Sequence, residues 1–173
     1  VWLDEDFCRY ADSFNDELIR ESEDIAIVWG NIRYRNRRRF NAAFFAYQKK
    51  THMRVKQNEL LPYIQDALYF EENPINSAIE YKEDMVFALN FGDEIQLADM
   101  NINLDARPYD IHKAYHPHGN VIYVNACGMQ NMDHSVMLME GGSCVLRNGK
   151  CLYQAPYFQE DYALVDLASQ KED

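Results

Sequence analysis

The sequence predicts a mixed α/β layered sandwich, on three observations. Strand-like apolar runs outnumber helical ones along the 173 residues. One amphipathic helical stretch stands at the start, ahead of those runs. The late runs are linked as hairpins, with Asn148-Gly149 as the clearest turn signal. Early strands behind a helix and late strands in hairpins argue against a doubly wound parallel sheet.

The elements follow in order. Residues 3–23 read as a helix, with Phe7, Ala11, Phe14, Leu18 and Ile19 at helical spacing and acids on the other face. Residues 24–29 form a short apolar, β-branched run that reads as a buried strand ending at Gly30. A basic turn follows, and residues 40–47 read as a second buried strand. Residues 51–56 alternate like a third. Residues 85–91, 100–104 and 121–124 give a fourth, fifth and sixth. Residues 143–146 and 151–154 flank the Asn-Gly turn, and residues 162–167 read as a last strand. Repeats, low-complexity stretches and Pro/Gly/Ser linkers are not found.

Length and composition set bounds. One domain spanning residues 1–173 is the expectation, and 47% hydrophobic residues supply a core. Acidic residues outnumber basic ones 28 to 17, for a net charge of -11. Phosphate backbones are bound by Lys and Arg, so nucleic acid is not an expected partner. The N-terminus lacks a basic segment followed by an apolar one, and no run approaches the ~18 apolar residues of a membrane helix. Membrane association is not expected. Cys8, Cys127, Cys144 and Cys151 form no CxxC pair, which suits a reduced, cytoplasmic protein. A chain opening on Val1 points to further sequence upstream.

Four features carry candidate chemistry. Arg33, Arg35, Arg37, Arg38 and Arg39 interleave with Tyr34 and suit either an anion or nucleic-acid site or a solvated turn between two strands. His112, His116 and His118 have spacings seen in zinc sites, but Pro117 breaks any helix there, so ordinary loop histidines are the other reading. Asp93 and Glu94 directly follow a strand, where carboxylates serve as acid or base, or simply as a charged turn. Cys127 stands just past another strand, as a nucleophile or as a structural thiol.

The stretch from Val121 to Gly128 ends its strand on Tyr123-Val124-Asn125. It is followed by Gly141-Gly142-Ser143, a hairpin, and Ala155-Pro156-Tyr157-Phe158-Gln159-Glu160-Asp161. That block resembles the glutaminase domains of glutamine-dependent NAD synthetases, in the nitrilase (carbon-nitrogen hydrolase) superfamily. Upstream, Arg38-Arg39-Phe40-Asn41-Ala42-Ala43 resembles the family's Tyr-Asn-Ala-Ala strand. Residues 103–109 resemble its Asn-Leu-Ser-Ala-Ser-Pro segment. The resemblance covers nearly the whole chain. It implies a nitrilase-type α-β-β-α sandwich, incomplete here, with the first strand and some crossover helices missing. Losing crossovers implies a changed strand order, because parallel neighbours need a connection of about a dozen residues.

The resemblance also implies a mechanism: a Cys nucleophile on the glutamine amide, a Lys for the oxyanion and a Glu base. Its Lys falls at Lys56 if Asn58 and Glu59 are an insertion. Its nucleophile position falls at Gly92, where no thiol exists. Asp93, Asp105 and Arg107 stand where substrate-binding residues are implied. The Glu belongs to a Pro-Glu segment upstream of Val1. Two functions follow. One is a glutaminase-like hydrolase domain releasing ammonia from glutamine, or a similar small amide, for NAD synthesis. The other is a catalytically inactive nitrilase-like module with a binding or structural role. No cofactor is expected in this domain. A synthetase domain or a second copy in a homo-oligomer is the expected partner.

Overall fold

The structure is a computed structural model that describes residues 2–57, 60–61, 64–72, 79–81, 85–111, 117–132 and 135–167. They fall into two compact units, residues 1–79 and 80–173.

In the first unit, helix α1 (Glu5–Glu21) begins where Asp4 accepts hydrogen bonds from the backbone N–H groups of Asp6 and Phe7, as an N-cap should. Its far end is tied down at the buried Ser22, whose carbonyl accepts from Gln48 N–H at 2.6 Å. Three antiparallel strands follow: β1 (Ile27–Arg35), β2 (Arg38–Tyr47) and β3 (Lys50–Val55). Both connections are two-residue turns, Asn36-Arg37 and Gln48-Lys49, with all four residues at positive φ. That backbone matches the twist of paired strands, which is why two-residue hairpins use it. The middle strand is buried on both faces from Ala42 to Ala46. Short strands β4 (Leu60–Leu61) and β5 (Ile64–Gln65) and a 3-10 turn, Asp66–Leu68, follow.

The helix corrects one expectation. Two of its apolar residues do not face the sheet: Phe7 is 38% and Phe14 41% exposed, Ala11, Leu18 and Ile19 are half-buried, and Cys8, Asp12 and Asn15 are buried. The sheet supplies the reason. Asn15 donates to Asp12 Oδ1 (2.8 Å) and to the carbonyl of Ile32 (2.9 Å). It accepts from Trp29 Nε1 (2.8 Å) and Asn31 Nδ2 (3.0 Å). Asp12 and Asn15 can be buried because their polar atoms meet partners on β1 and on each other.

The second unit is built on a six-stranded sheet in the order β13-β12-β9-β8-β7-β6. These are β6 (Ile79–Tyr81), which begins at the unit boundary, β7 (Met85–Phe91), β8 (Met100–Asp105), β9 (Val121–Asn125), β12 (Cys144–Arg147) and β13 (Lys150–Gln154). Strands β7, β8 and β9 are mutually parallel, while β12 is antiparallel to β9 and to β13. A separate hairpin, β10 (Cys127–Met132) with β11 (Ser135–Glu140), was not foreseen. Its alternation of apolar and polar residues is broken by Asp133 and His134 and by a run of methionines. Residues 162–167, expected as a strand, are irregular and mostly exposed.

β7 and β8 stay parallel without a crossover helix between them, contrary to the expectation. Residues 92–99 alone carry the chain from β7 back to β8. The register sets Phe87 beside Met100 and Phe91 beside Leu104, so the return is about four strand residues, roughly 13 Å. Eight extended residues reach about 26 Å, which is enough. A buried asparagine group then substitutes for a helix. Asn103 Nδ2 donates to the carbonyls of Gly92 (2.9 Å) and Glu94 (2.7 Å). Gln96 N–H donates to Asn101 Oδ1 (2.9 Å), and Gln96 Nε2 to Asn90 Oδ1 (2.6 Å). Asn90 Nδ2 donates to Asn101 Oδ1 at 2.8 Å. The connection lies on the sheet because its own polar atoms are satisfied there. Among the described residues, no helix is long and apolar enough to cross a membrane.

Candidate functional site

The carboxyl ends of parallel strands are where α/β folds place their ligands, because the chain leaves the sheet there in open loops. In the second unit those ends belong to β7, β8 and β9. They gather Gly92, Asp105, Arg107, Tyr123 and Asn125.

Gly92 leaves β7 at φ +58, a conformation that side chains rarely adopt. Its N–H donates to the carbonyl of Leu104 at 3.1 Å. A Cβ placed on it would meet the Arg107 guanidinium at 3.7 Å, an ordinary contact. Space for a side chain is therefore present, on a backbone bent like the strained corners that carry nucleophiles elsewhere. The residue that occupies the neighbourhood is a permanent cation. Arg107 Nε pairs with Asp105 Oδ2 at 3.2 Å, and that oxygen also accepts from the Tyr123 hydroxyl at 2.9 Å. Asn125 accepts from Arg107 N–H (3.0 Å) and donates to the carbonyl of Gly141 (2.9 Å), so the loop after β8 is fastened to the strand beyond it.

Asp105 and Arg107, expected as substrate-binding residues, thus meet each other beside Gly92. Asp93 does not join them: it and Glu94 are exposed on the turn, as a charged turn would be. Lys56 belongs to the first unit, where its Nζ pairs with the buried Asp66 at 3.1 Å. Tyr123 and Asn125 were quoted in the sequence only as part of a pattern. Period-two alternation puts both on the face that carries Asn103 and Asp105, but only the register between β8 and β9 shows that they meet.

The cysteines differ in environment. Cys127 is half-buried against Gly141, at the start of the strand that follows Asn125. Cys144 is buried, and burial, helped by nearby Cys151, pushes its thiol up to about 11. That leaves it un-ionised and unreactive near neutral pH. Cys151 is exposed.

The basic cluster resolves into a hairpin. β1 continues through Arg35, because Ile32 and Tyr34 alternate with Arg33 and Arg35. Arg33 pairs with Asp12 (3.3 Å) and Asp16 (3.8 Å), Arg35 with Asp12 (3.8 Å) and Arg38 with Glu71 (3.3 Å). The Arg39 guanidinium lies 5.9 Å from the Tyr34 ring centre. His112 and His116 lie outside the described residues, and His118 is exposed. No group of three or more metal-ligating side chains occurs among the described residues.

Comparison with known proteins rests on structure alone. No family model matches the chain, and no curated protein matches it in sequence. The fold is similar to a glutamine-dependent NAD+ synthetase from Acinetobacter baumannii, with a TM-score of 0.67, 23% identity and 86% of this chain covered. One from Cytophaga hutchinsonii gives a TM-score of 0.71, 14% identity and 90% coverage. The chain spans about a third, 32%, of the length of both. A CN-hydrolase superfamily protein from Xanthomonas campestris is similar at a TM-score of 0.62 and 15% identity, over 84% of this chain and 70% of that one. The architecture is similar to the nitrilase, or carbon-nitrogen hydrolase, fold of these proteins, with one α-helix among the described residues.

Proposed function

From a nitrilase-type fold whose strand corner carries glycine, we propose a glutaminase-like module in which the hydrolytic step is lost and a binding or scaffolding role is kept. The observation that carries the reading is Gly92. A thiolate must form, attack the amide carbon and later be released by water, and glycine offers no such group. Arg107, paired with Asp105, stands 3.7 Å from the position a side chain there would take. A guanidinium does not attack an amide, but it does hold carboxylates, which suits retention of a glutamine-like ligand. On this reading the module works beside a synthetase domain, as the structural likeness suggests.

A second reading, an active glutaminase, is favoured by one observation: Cys127 stands two residues past Asn125 at the same strand ends and is half-buried. Ammonia release from glutamine separates the two. The full chain is expected to release none above background, and Gly92→Cys is expected to stay silent. Release that Cys127→Ala abolishes would establish the second reading and sink the first.

A further inference from the structure

A groove in the same unit, which reaches the strand ends at Tyr123, has a different chemistry. Its volume is about 520 Å3, a size suited to a small ligand. Tyr109, Tyr157 and Phe158 line it, and they remain 46%, 57% and 50% exposed. The rings form a connected wall: Tyr109 meets Phe158 edge-on at 5.3 Å, and Tyr157 meets Phe158 at 6.5 Å.

The backbone holds this wall in place at a cost. Phe158 sits at φ +60, which is uncommon for any bulky side chain. Its N–H donates to the Glu140 carbonyl at 2.7 Å, and Tyr109 N–H to the Leu138 carbonyl at 2.7 Å. Gly142 is required beneath the wall, because a Cβ there would stand 2.4 Å from the Tyr157 ring. Strain of this kind persists only where surrounding structure imposes it, and it concentrates at ligand sites. Core packing does not explain it, since all three rings are half-exposed.

Among the described residues that line the groove, the charged ones are acidic. Glu140 and Asp110 are among its described lining residues, and Lys, Arg and His are not. Glu140 is half-buried and has no ion pair among the described residues. Aromatic faces carry negative charge density and attract cations, most strongly where water is thinned out. We propose that this groove binds a small organic cation of the alkylammonium class, its head against the Tyr109, Tyr157 and Phe158 rings and balanced by Glu140.

Calorimetric titration of the full 173-residue chain with choline tests this. Saturable binding in the millimolar range or tighter is expected, with little or none for the uncharged tert-butyl analogue of choline. Glu140→Gln, which keeps the shape, is expected to weaken choline by about tenfold. Phe158→Gly removes the unfavourable backbone conformation, so it is expected to hold or raise the melting temperature while weakening choline by a similar factor. A purely structural Phe158 would leave binding intact. The proposal is overturned by absent saturation, by equal binding of the uncharged analogue, or by unchanged affinity in Glu140→Gln.

Discussion

Single residues decide what chemistry this chain can do, and the thiols show it most directly. Cys144 and Cys151 lie on paired strands yet differ in exposure. Burial holds the Cys144 thiol near 11, against an ordinary value of 9.0. Below about pH 9 the thiol is protonated in folded and unfolded chains alike. Between about 9 and 11 the unfolded chain releases the proton and the folded chain keeps it, so stability falls as pH rises through that window. Native alkylation with iodoacetamide at pH 8 is expected to label Cys151 first and Cys144 only after unfolding, read by peptide mass mapping. Equal rates would mean that Cys144 is not shielded as described. Both cysteines are plain in the sequence, but which is buried depends on the strand pairing.

Connections and turns decide whether the elements stand together. The short link between β7 and β8 rests on Asn103, whose side chain serves two loop carbonyls. Asn103→Leu removes those donors inside a buried site, and about 2–3 kcal/mol of destabilisation is expected, as a lowered denaturation midpoint at constant m. A loss below half a kcal/mol, on the order of an ordinary surface change, would show that the loop does not depend on it. The β1–β2 turn makes the opposite prediction. Arg37 is exposed at φ +62, where glycine suits the backbone better. Arg37→Gly is expected to stabilise by about 0.5–1 kcal/mol, and a clear destabilisation would contradict the turn geometry. The turn at Asn148-Gly149 was legible from the dipeptide alone. The basic turn between β1 and β2 was legible too, but not its confinement to Asn36-Arg37, because those residues carry no glycine and sit inside a basic run.

At the scale of the whole molecule, the likeness to NAD synthetases concerns the fold, and the chemistry is local. The expected absence of ammonia release, together with silence of Gly92→Cys, bears on that distinction. The backbone corner stands at φ +58, where a Cβ finds space but the conformation itself disfavours a side chain, so restoring one thiol there does not by itself restore a catalytic group. Groups that act as a unit fail as a unit.

The sequence by itself determined the strands β2, β7, β8 and β9 to within a residue or two, the opening helix and the Asn-Gly hairpin. These are written in local apolar runs and turn residues, which need no knowledge of partners. The nitrilase-type character was implied by the resemblance of the block from Val121 to Asp161 to a known family. Tertiary structure decided the rest. It chose the polar face of α1 for burial, because β1 supplies partners to Asn15 and Asp12. It kept β7 and β8 parallel across residues 92–99, because asparagines from the two strands, Asn90 on one and Asn101 and Asn103 on the other, meet on one face. It set Arg107 and Asp105 beside Gly92, and Glu140 in a groove walled by aromatic rings. In each case the outcome depends on which atoms become neighbours when strands pair, and no local pattern encodes that.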